Sequence, residues 1–460
     1  MIIPNEVSHR SYTSGSRSNT KAITTFGTQI SKGETFFVKP YKKIEARDSA
    51  IKGARISCLF FFLFLSFFLV GTVYSFEKPI KQPTPKVVIK KLRSRHYQLI
   101  VEGKPFIIKG ICYNPVSIGA GYDYDFSKDK NEPWKIDGRL MQKVGVNAIR
   151  LYNTGTDVEG AKKIMDYFYR QHGIRTILGH WLGFWEGSSA SYGDREFRAR
   201  IKKEVIQIVK DFKDSPGLLM WVLGNENNYS FGPQNLNPWT TPELEKISDP
   251  YEKRKVQAKI YYSFVNEIAR QIKSIDRVHP VALGNGGVAG LEVASKICKD
   301  IDLLGISSYS GKSFGSLFRQ IDMAWGKPFF FTEFGADSYD AKQNKPREDM
   351  QEIFIKSQWK EIEKNLANES GLGNSLGGCI FEWTDEWWKF EEFNPCNWNV
   401  HNSQPSWSNG AYYFDIGAPR NLNMNEEWWG LIKLIPAKSS GLDKRIPKRA
   451  YYLLQELWVE

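Results

Sequence analysis

The sequence predicts a closed (β/α)8 barrel preceded by a short β-hairpin and followed by an aromatic-rich extension. Three observations point there. Eight short, almost uniformly apolar runs recur along the chain, amphipathic helical stretches separate them, and the residues closing each run are polar or aromatic. Apolar strands alternating with helices belong to a parallel sheet covered on both faces, and eight in one domain suit a closed barrel. An open doubly wound sheet is the alternative, but no glycine-rich phosphate loop follows the first strand.

In chain order, Tyr97–Val101 and Phe106–Tyr113 flank Glu102-Gly103-Lys104-Pro105, a turn signature that predicts the hairpin. The first barrel strand falls in Phe106–Tyr113. Those after it fall at Val146–Tyr152, Arg175–Leu178, Leu218–Leu223, Val281–Leu283, Leu303–Ser308, Pro328–Thr332 and Gly378–Trp383. Helices are expected at Arg139–Val144, Val158–Tyr169, Arg195–Phe212, Tyr251–Ile275 and Asp349–Leu366. The segment Glu391–Leu434 should wall a cleft, and PKRAYYLLQELW should form a closing helix.

Ahead of the barrel the composition changes. Residues 1–55 form a basic, Ser/Thr-rich leader expected to be disordered, and residues 56–76 hold ISCLFFFLFLSFFLVGTV, 18 uncharged residues. That run is long enough to cross a bilayer as a helix, and the Lys and Arg before it place the N-terminus in the cytoplasm. A cleaved signal sequence is the competing reading, because Val73-Tyr74-Ser75 resembles a cleavage site. Either way, the body after a Pro-rich spacer (77–86) is exported and the partner of the N-terminal segment is a membrane. The catalytic-size domain is 87–460.

Composition excludes other classes. Hydrophobic residues at 41% and charged residues at 25% fit a folded domain. The net charge of +12 is half contributed by residues 1–75 and otherwise scattered, without the basic stripe of a nucleic-acid groove. Five Cys with no CxxC pair and six His argue against a zinc site, and no cofactor is expected; a Cys379–Cys396 bridge stays open. Aromatic residues reach 14%, and all 15 Trp lie at or beyond Trp134.

In such barrels, reacting groups sit at the C-terminal strand ends. The fourth strand runs into LLMWVLGNENN and the seventh into KPFFFTEFGAD, so Glu226 and Glu333 emerge from apolar runs at the barrel mouth. Two carboxylates across a pocket are what glycoside cleavage requires: one protonated to release the leaving oxygen, one ionised to attack or stabilise the anomeric carbon. A Glu at a strand end can also cap a helix or pair with Arg, but two in these contexts favour chemistry.

WVLGNENN and PFFFTEFGAD resemble the two signature motifs of the clan A retaining glycoside hydrolases, the "4/7" (β/α)8 barrels. IIKGICYNP, VGVNAIRLYN and FEWTDEWWK extend the resemblance over residues 97–390. The opening segment is similar to β-1,3-glucanosyltransferases, and the NEN and TEFGAD contexts to the β-glucuronidase/β-galactosidase family. The resemblance implies that Glu226 is the acid/base, Glu333 the nucleophile and Asn225 a partner of the sugar 2-hydroxyl. Arg150 and Tyr309 are expected beside Glu333, Trp383 under the bound sugar, and His180 and Asn114 on its hydroxyls. Trp181, Trp185, Trp239, Trp387 and Trp388 lie on loops over the mouth, where indoles can stack on pyranose rings.

The reaction expected is hydrolysis or transglycosylation of a β-glucan-type polysaccharide. A catalytically silent polysaccharide-binding partner of a membrane synthase or export complex is the second reading. It accounts for anchor and aromatics but not for two intact carboxylate motifs.

Overall fold

The computed structural model describes residues 86–459, apart from positions 94, 122, 185–189, 234, 405–424 and 438–440. The predicted leader, the apolar run at 56–76 and most of the spacer lie outside the described residues, as does Trp185. Among the described residues, no helix is long and apolar enough to cross a membrane.

Eight parallel strands close into a barrel: β1 Ile108–Cys112, β2 Ala148–Leu151, β3 Arg175–His180, β4 Leu218–Leu223, β5 Val281–Gly286, β6 Leu303–Ser307, β7 Phe329–Phe334 and β8 Ser375–Ile380. Each falls within or overlaps a predicted run. The barrel is sealed where β8 pairs with β1, Cys379 opposite Gly110 and Ile380 opposite Ile111. Following the strands in order are α1 Pro133–Lys143, α2 Val158–His172, α3 Arg195–Phe212, α4 Pro250–Ile275, α5 Leu291–Ile297, α6 Leu317–Ala324, α7 Glu348–Lys364 and α8 Arg449–Trp458.

The starts of the long helices are written in the sequence. Asp157, Asp194 and Asp249 cap α2, α3 and α4, each accepting from a backbone N–H of the first turn, and Pro250 fills the first position of α4. Gly173 ends α2 with φ 69°, the left-handed stop that favours glycine. Helix α8 docks by Trp458 against Trp359 of α7, ring centroids 5.0 Å apart, and Lys109 Nζ donates to the Trp458 carbonyl at 2.8 Å.

The N-terminal hairpin differs from expectation. Val87–Lys91 pairs antiparallel with Tyr97–Val101, which pairs with Lys104–Phe106. The predicted run Phe106–Tyr113 is therefore divided. Its start completes a three-stranded sheet, and its remainder from Ile108 enters the barrel.

Two apolar layers follow strand alternation. Along β7, Phe329 and Phe331 face the helices while Phe330 faces the barrel interior beside Leu219, Val222, Leu303 and Cys379. The register against β6 then slips: Phe331 pairs with Ile306 but Glu333 pairs with Ser307. One extra residue reverses the alternation, so Phe334 joins the helix-facing layer and Glu333 turns into the mouth. The four cysteines among the described residues are free, and Cys379 is buried while Cys396 is exposed. The Cys379–Cys396 bridge is absent.

Candidate active site

Glu333 is buried at 4% exposure and surrounded by donors. Arg150, at the end of β2, donates from Nη1 to Oε1 at 2.8 Å, and the Tyr152 hydroxyl donates to the same oxygen at 2.8 Å. The Tyr309 hydroxyl, just past β6, donates to Oε2 at 2.5 Å. Three donors, one of them cationic, thus converge on one buried carboxyl group. Arg150 is itself fully enclosed, and the negative groups around it strengthen its hold on the proton. Its second amino group donates to Asn225 Oδ1 at 2.7 Å. That bond orients the Asn225 amide with its NH2 turned away from Arg150.

Glu226 sits in a different setting. It follows Gly224, whose φ is 82° and whose added Cβ would meet the Tyr261 hydroxyl at 2.7 Å, so only glycine fits this turn. Glu226 itself is left-handed, φ 60°, an uncommon conformation for a side-chain-bearing residue and one associated with functional sites. The turn is fixed from behind. Asn227 accepts from the Asn225 N–H at 2.6 Å and donates to the Trp181 carbonyl, while Asn228 exchanges two hydrogen bonds with Gly286 of β5. Glu226 keeps part of its surface open at the mouth yet lies deep among protein atoms. One phenol, Tyr229, donates to its Oε1 at 3.0 Å. Enclosure first, and then the charge of Glu333, raise its pKa to about 8 despite the Tyr229 bond. At neutral pH this carboxyl therefore carries a proton, whereas Glu333 is met by three donors.

The structure brings Glu226, Glu333, Asn225, Arg150 and Tyr309 together in one connected group. Trp181 joins its edge, half-buried, with its ring 6.1 Å from that of Tyr152. Asn114 lies at the β1 rim and donates to Glu386 Oε1 at 3.4 Å.

Two expected positions do not join it. Trp383 is fully buried in the helix-facing core, its ring against Tyr451 of α8, and cannot lie under a sugar. Phe381, 8% exposed, instead packs edge-on against Tyr309 with ring centroids 6.1 Å apart. His180 is turned toward α3. Its Nδ1 accepts from the Leu182 N–H at 2.9 Å and its Nε2 is 3.8 Å from Glu204, while burial lowers its pKa to about 4. Among the loop tryptophans, Trp239 and Trp388 are buried, and Trp387 is half-buried with its ring stacked on His401 at 4.6 Å.

Residues not anticipated complete the arrangement. Tyr152 stands two positions past Arg150, so strand alternation puts both on one face; that signal was present in the sequence. Tyr229, three residues past Glu226, was within reach of the same reasoning. Trp429 was not, because it packs edge-on under Tyr309 at 4.5 Å from a position far along the C-terminal extension. Through Trp429 the extension thus backs the site. Trp387, His401, Trp428 and Tyr339 form a column of stacked rings, and the buried Lys448 ammonium ties Asp385, Ser338 and the Trp428 carbonyl together. Among the described residues no group of His, Cys, Asp and Glu is arranged to hold a metal.

No model of a known protein family and no curated protein matches the chain. Solved structures do resemble it. A GH2 β-galacturonidase from Eisenbergiella tayi superposes with a TM-score of 0.50 at 15% identity, covering 81% of this chain and 54% of that one. A β-glucuronidase from Bifidobacterium dentium gives 0.51 at 16%, covering 81% and 49%. A β-glucuronidase from Bacteroides uniformis gives 0.50 at 17%, covering 81% and 37%. The chain thus spans about half or less of the length of these structures. At these identities the shared feature is the fold: the chain has the closed (β/α)8 barrel on which these β-glycosidases are built.

Proposed function

We propose that the protein is a retaining β-glycosidase or transglycosylase acting by double displacement. The observation that carries this reading is the pairing of Glu226, with a pKa raised to about 8, with Glu333, enclosed by Arg150, Tyr152 and Tyr309. Arg150 donates both to Glu333 and to Asn225, the residue before Glu226, so one guanidinium links the two strand ends that carry the carboxylates. A retaining pair of carboxyl groups stands about 5–5.5 Å apart, without the room for a water that an inverting pair leaves.

In the first step, Glu333 attacks the anomeric carbon while Glu226 gives its proton to the departing oxygen. The C–O bond to the leaving group breaks and a Glu333–glycosyl ester forms. Esterification removes the Glu333 charge, which after enclosure is the largest cause of the raised Glu226 pKa. Glu226 then becomes a stronger acid, is left as a carboxylate, and takes a proton from water or from a sugar hydroxyl as that oxygen attacks the anomeric carbon, whose bond to Glu333 breaks and frees the carboxylate. The Asn225 amide is oriented by Arg150 to donate to the 2-hydroxyl, a contact that strengthens as positive charge grows on the ring.

The substrate proposed is a β-glucan-type polysaccharide, met on the exported side of a membrane by a domain tethered through, or released from, the apolar segment at 56–76. The experiment is a product assay on a panel of β-glucans and aryl β-glycosides with wild type and Glu333→Gln. Turnover by wild type alone supports the reading; no turnover of any β-glycoside favours the silent binding protein. A reporter joined after Lys86 should be active outside the cytoplasm, and activity only inside would overturn the export proposal.

A further inference from the structure

A cavity of about 540 Å³ lies away from the two carboxylates, on the loop that leaves β4. Gly232, Pro233, Pro238, Trp239 and Thr240 line one side, and Pro250, Lys253, Arg254 and Gln257 of α4 line the other. The loop is tied directly to the site. The Leu236 N–H donates to the Tyr229 carbonyl at 3.0 Å, and the Tyr229 hydroxyl donates to Glu226. Glu226 is the proposed acid, so the departing part of the substrate lies on its side of the mouth.

Its walls are rigid. Trp239 is 6% exposed, donates from Nε1 to Ser230 Oγ at 3.1 Å and packs edge-on against Tyr192. Gln257 Nε2 donates to the Trp239 carbonyl at 2.7 Å. Three prolines stiffen the rim.

The two cations are uncommitted. Among the described residues, neither the Lys253 ammonium nor the Arg254 guanidinium has a carboxylate partner, although Lys255 on the same helix is paired with Glu252 at 3.1 Å. The neighbouring acids are engaged elsewhere: Glu252 by Lys255, and Asp249 by the Tyr251 N–H it caps at 2.9 Å. Lys253 is half-buried and Arg254 exposed, so their charged ends can reach a ligand without breaking a bond to the protein.

We propose that this cavity is a remote subsite for an anionic sugar unit, carboxylated or sulfated, in the leaving-group portion of a β-linked chain. The assignment rests on the acid role given to Glu226, which sets the direction of the substrate. A fixed floor with two unpaired cations gives an anionic group charge-assisted hydrogen bonds that a neutral sugar cannot match. The substrate it fits is a β-glucan-type backbone bearing acidic units, not a wholly neutral polymer.

The test is binding of length-matched β-1,4-linked probes to the Glu333→Gln protein: neutral cello-oligosaccharides, their 6-carboxylated counterparts and sulfated ones. The anionic probes should bind about tenfold or more tightly than the neutral ones at low salt, with affinity falling as salt rises. Lys253→Ser/Arg254→Ser should abolish the difference, and the better of the two anionic probes identifies the group recognised. In an otherwise wild-type chain, the same double substitution should leave turnover of a small aryl β-glycoside unchanged. Equal binding of neutral and anionic probes, no effect of the double substitution on binding, or loss of aryl-glycoside turnover would each overturn the subsite. If the wild type turns over no β-glycoside while the anionic preference and its loss persist, the enzyme reading fails and the anion site stands.

Discussion

The ends of β4 and β7 each deliver one glutamate to the same mouth, yet they treat it oppositely. At β7, a register slip rotates Glu333 inward onto a guanidinium and two phenols. At β4, a left-handed turn held by Asn227 and Asn228 presents Glu226 with a single phenol, deep in the protein and within range of another negative charge. Two identical side chains thereby acquire different surroundings, one met by three donors and the other by one, with the second pushed up in pKa. The difference teaches that the division of labour resides in the donors supplied by the neighbouring strands.

The largest effect should come from removing the group that forms the bond. Glu333→Gln is expected to lower turnover of any β-glycoside by about four orders of magnitude or more, measured as kcat/KM. Glu333→Gly should regain turnover of an activated aryl glycoside with azide or formate. Product of inverted configuration in azide would agree with the vacated nucleophile position.

Glu226→Ala should behave differently, and the contrast is the sharpest way to break the comparison. With a sugar leaving group the loss should be about a thousandfold, the scale of general acid catalysis. With a dinitrophenyl leaving group, which needs no proton, the glycosyl-enzyme should still form and then accumulate. Azide should release it as a β-glycosyl azide. Equal losses on both leaving groups would contradict the acid role.

Tyr152→Phe and Tyr309→Phe each remove one donor from the Glu333 anion. A hydrogen bond to a charged group contributes about 1.5–3 kcal/mol, so each should cost roughly tenfold to a hundredfold in kcat/KM. If Tyr152→Phe has no effect, the Glu333 side of the comparison rests on Arg150 and Tyr309 alone.

The mildest probe is pH. Glu226 must be protonated to act, so kcat/KM should fall as pH rises through about 8, the basic limb of its profile. In Glu333→Gln the neighbouring charge is gone and the Glu226 pKa should fall, readable by carbon-13 NMR of its carboxyl. An unchanged value would show that the charge of Glu333 is not among the causes of the shift.

Much of this was legible in the sequence because barrel strands are local events. LLMWVL and KPFFFT are apolar runs that end in a polar break, and the eight strands overlap the runs read from them. Arg150 and Tyr309 followed from strand ends in the same way. What failed depended on which way a side chain turns and on contacts distant in sequence. Glu333 was found, but the register slip that aims it was not visible in KPFFFTEF. His180 closes β3 as predicted, yet a backbone N–H two residues on and Glu204 of α3 hold it away from the carboxylates. Trp383 was misplaced because β8 ends at Ile380. The chain then leaves to bridge Ile432, carrying the indole into a core completed by Tyr451 of the last helix. Trp429 under Tyr309 was hidden for the same reason.

The central claim is that Glu333 bonds to the sugar and Glu226 does not. Incubating the full chain with a panel of 2-deoxy-2-fluoro β-glycosides bearing good leaving groups, then mapping the adduct by peptide mass spectrometry, tests it most directly. The account predicts one added glycosyl mass, on the peptide containing Glu333. An adduct on Glu226 would contradict it.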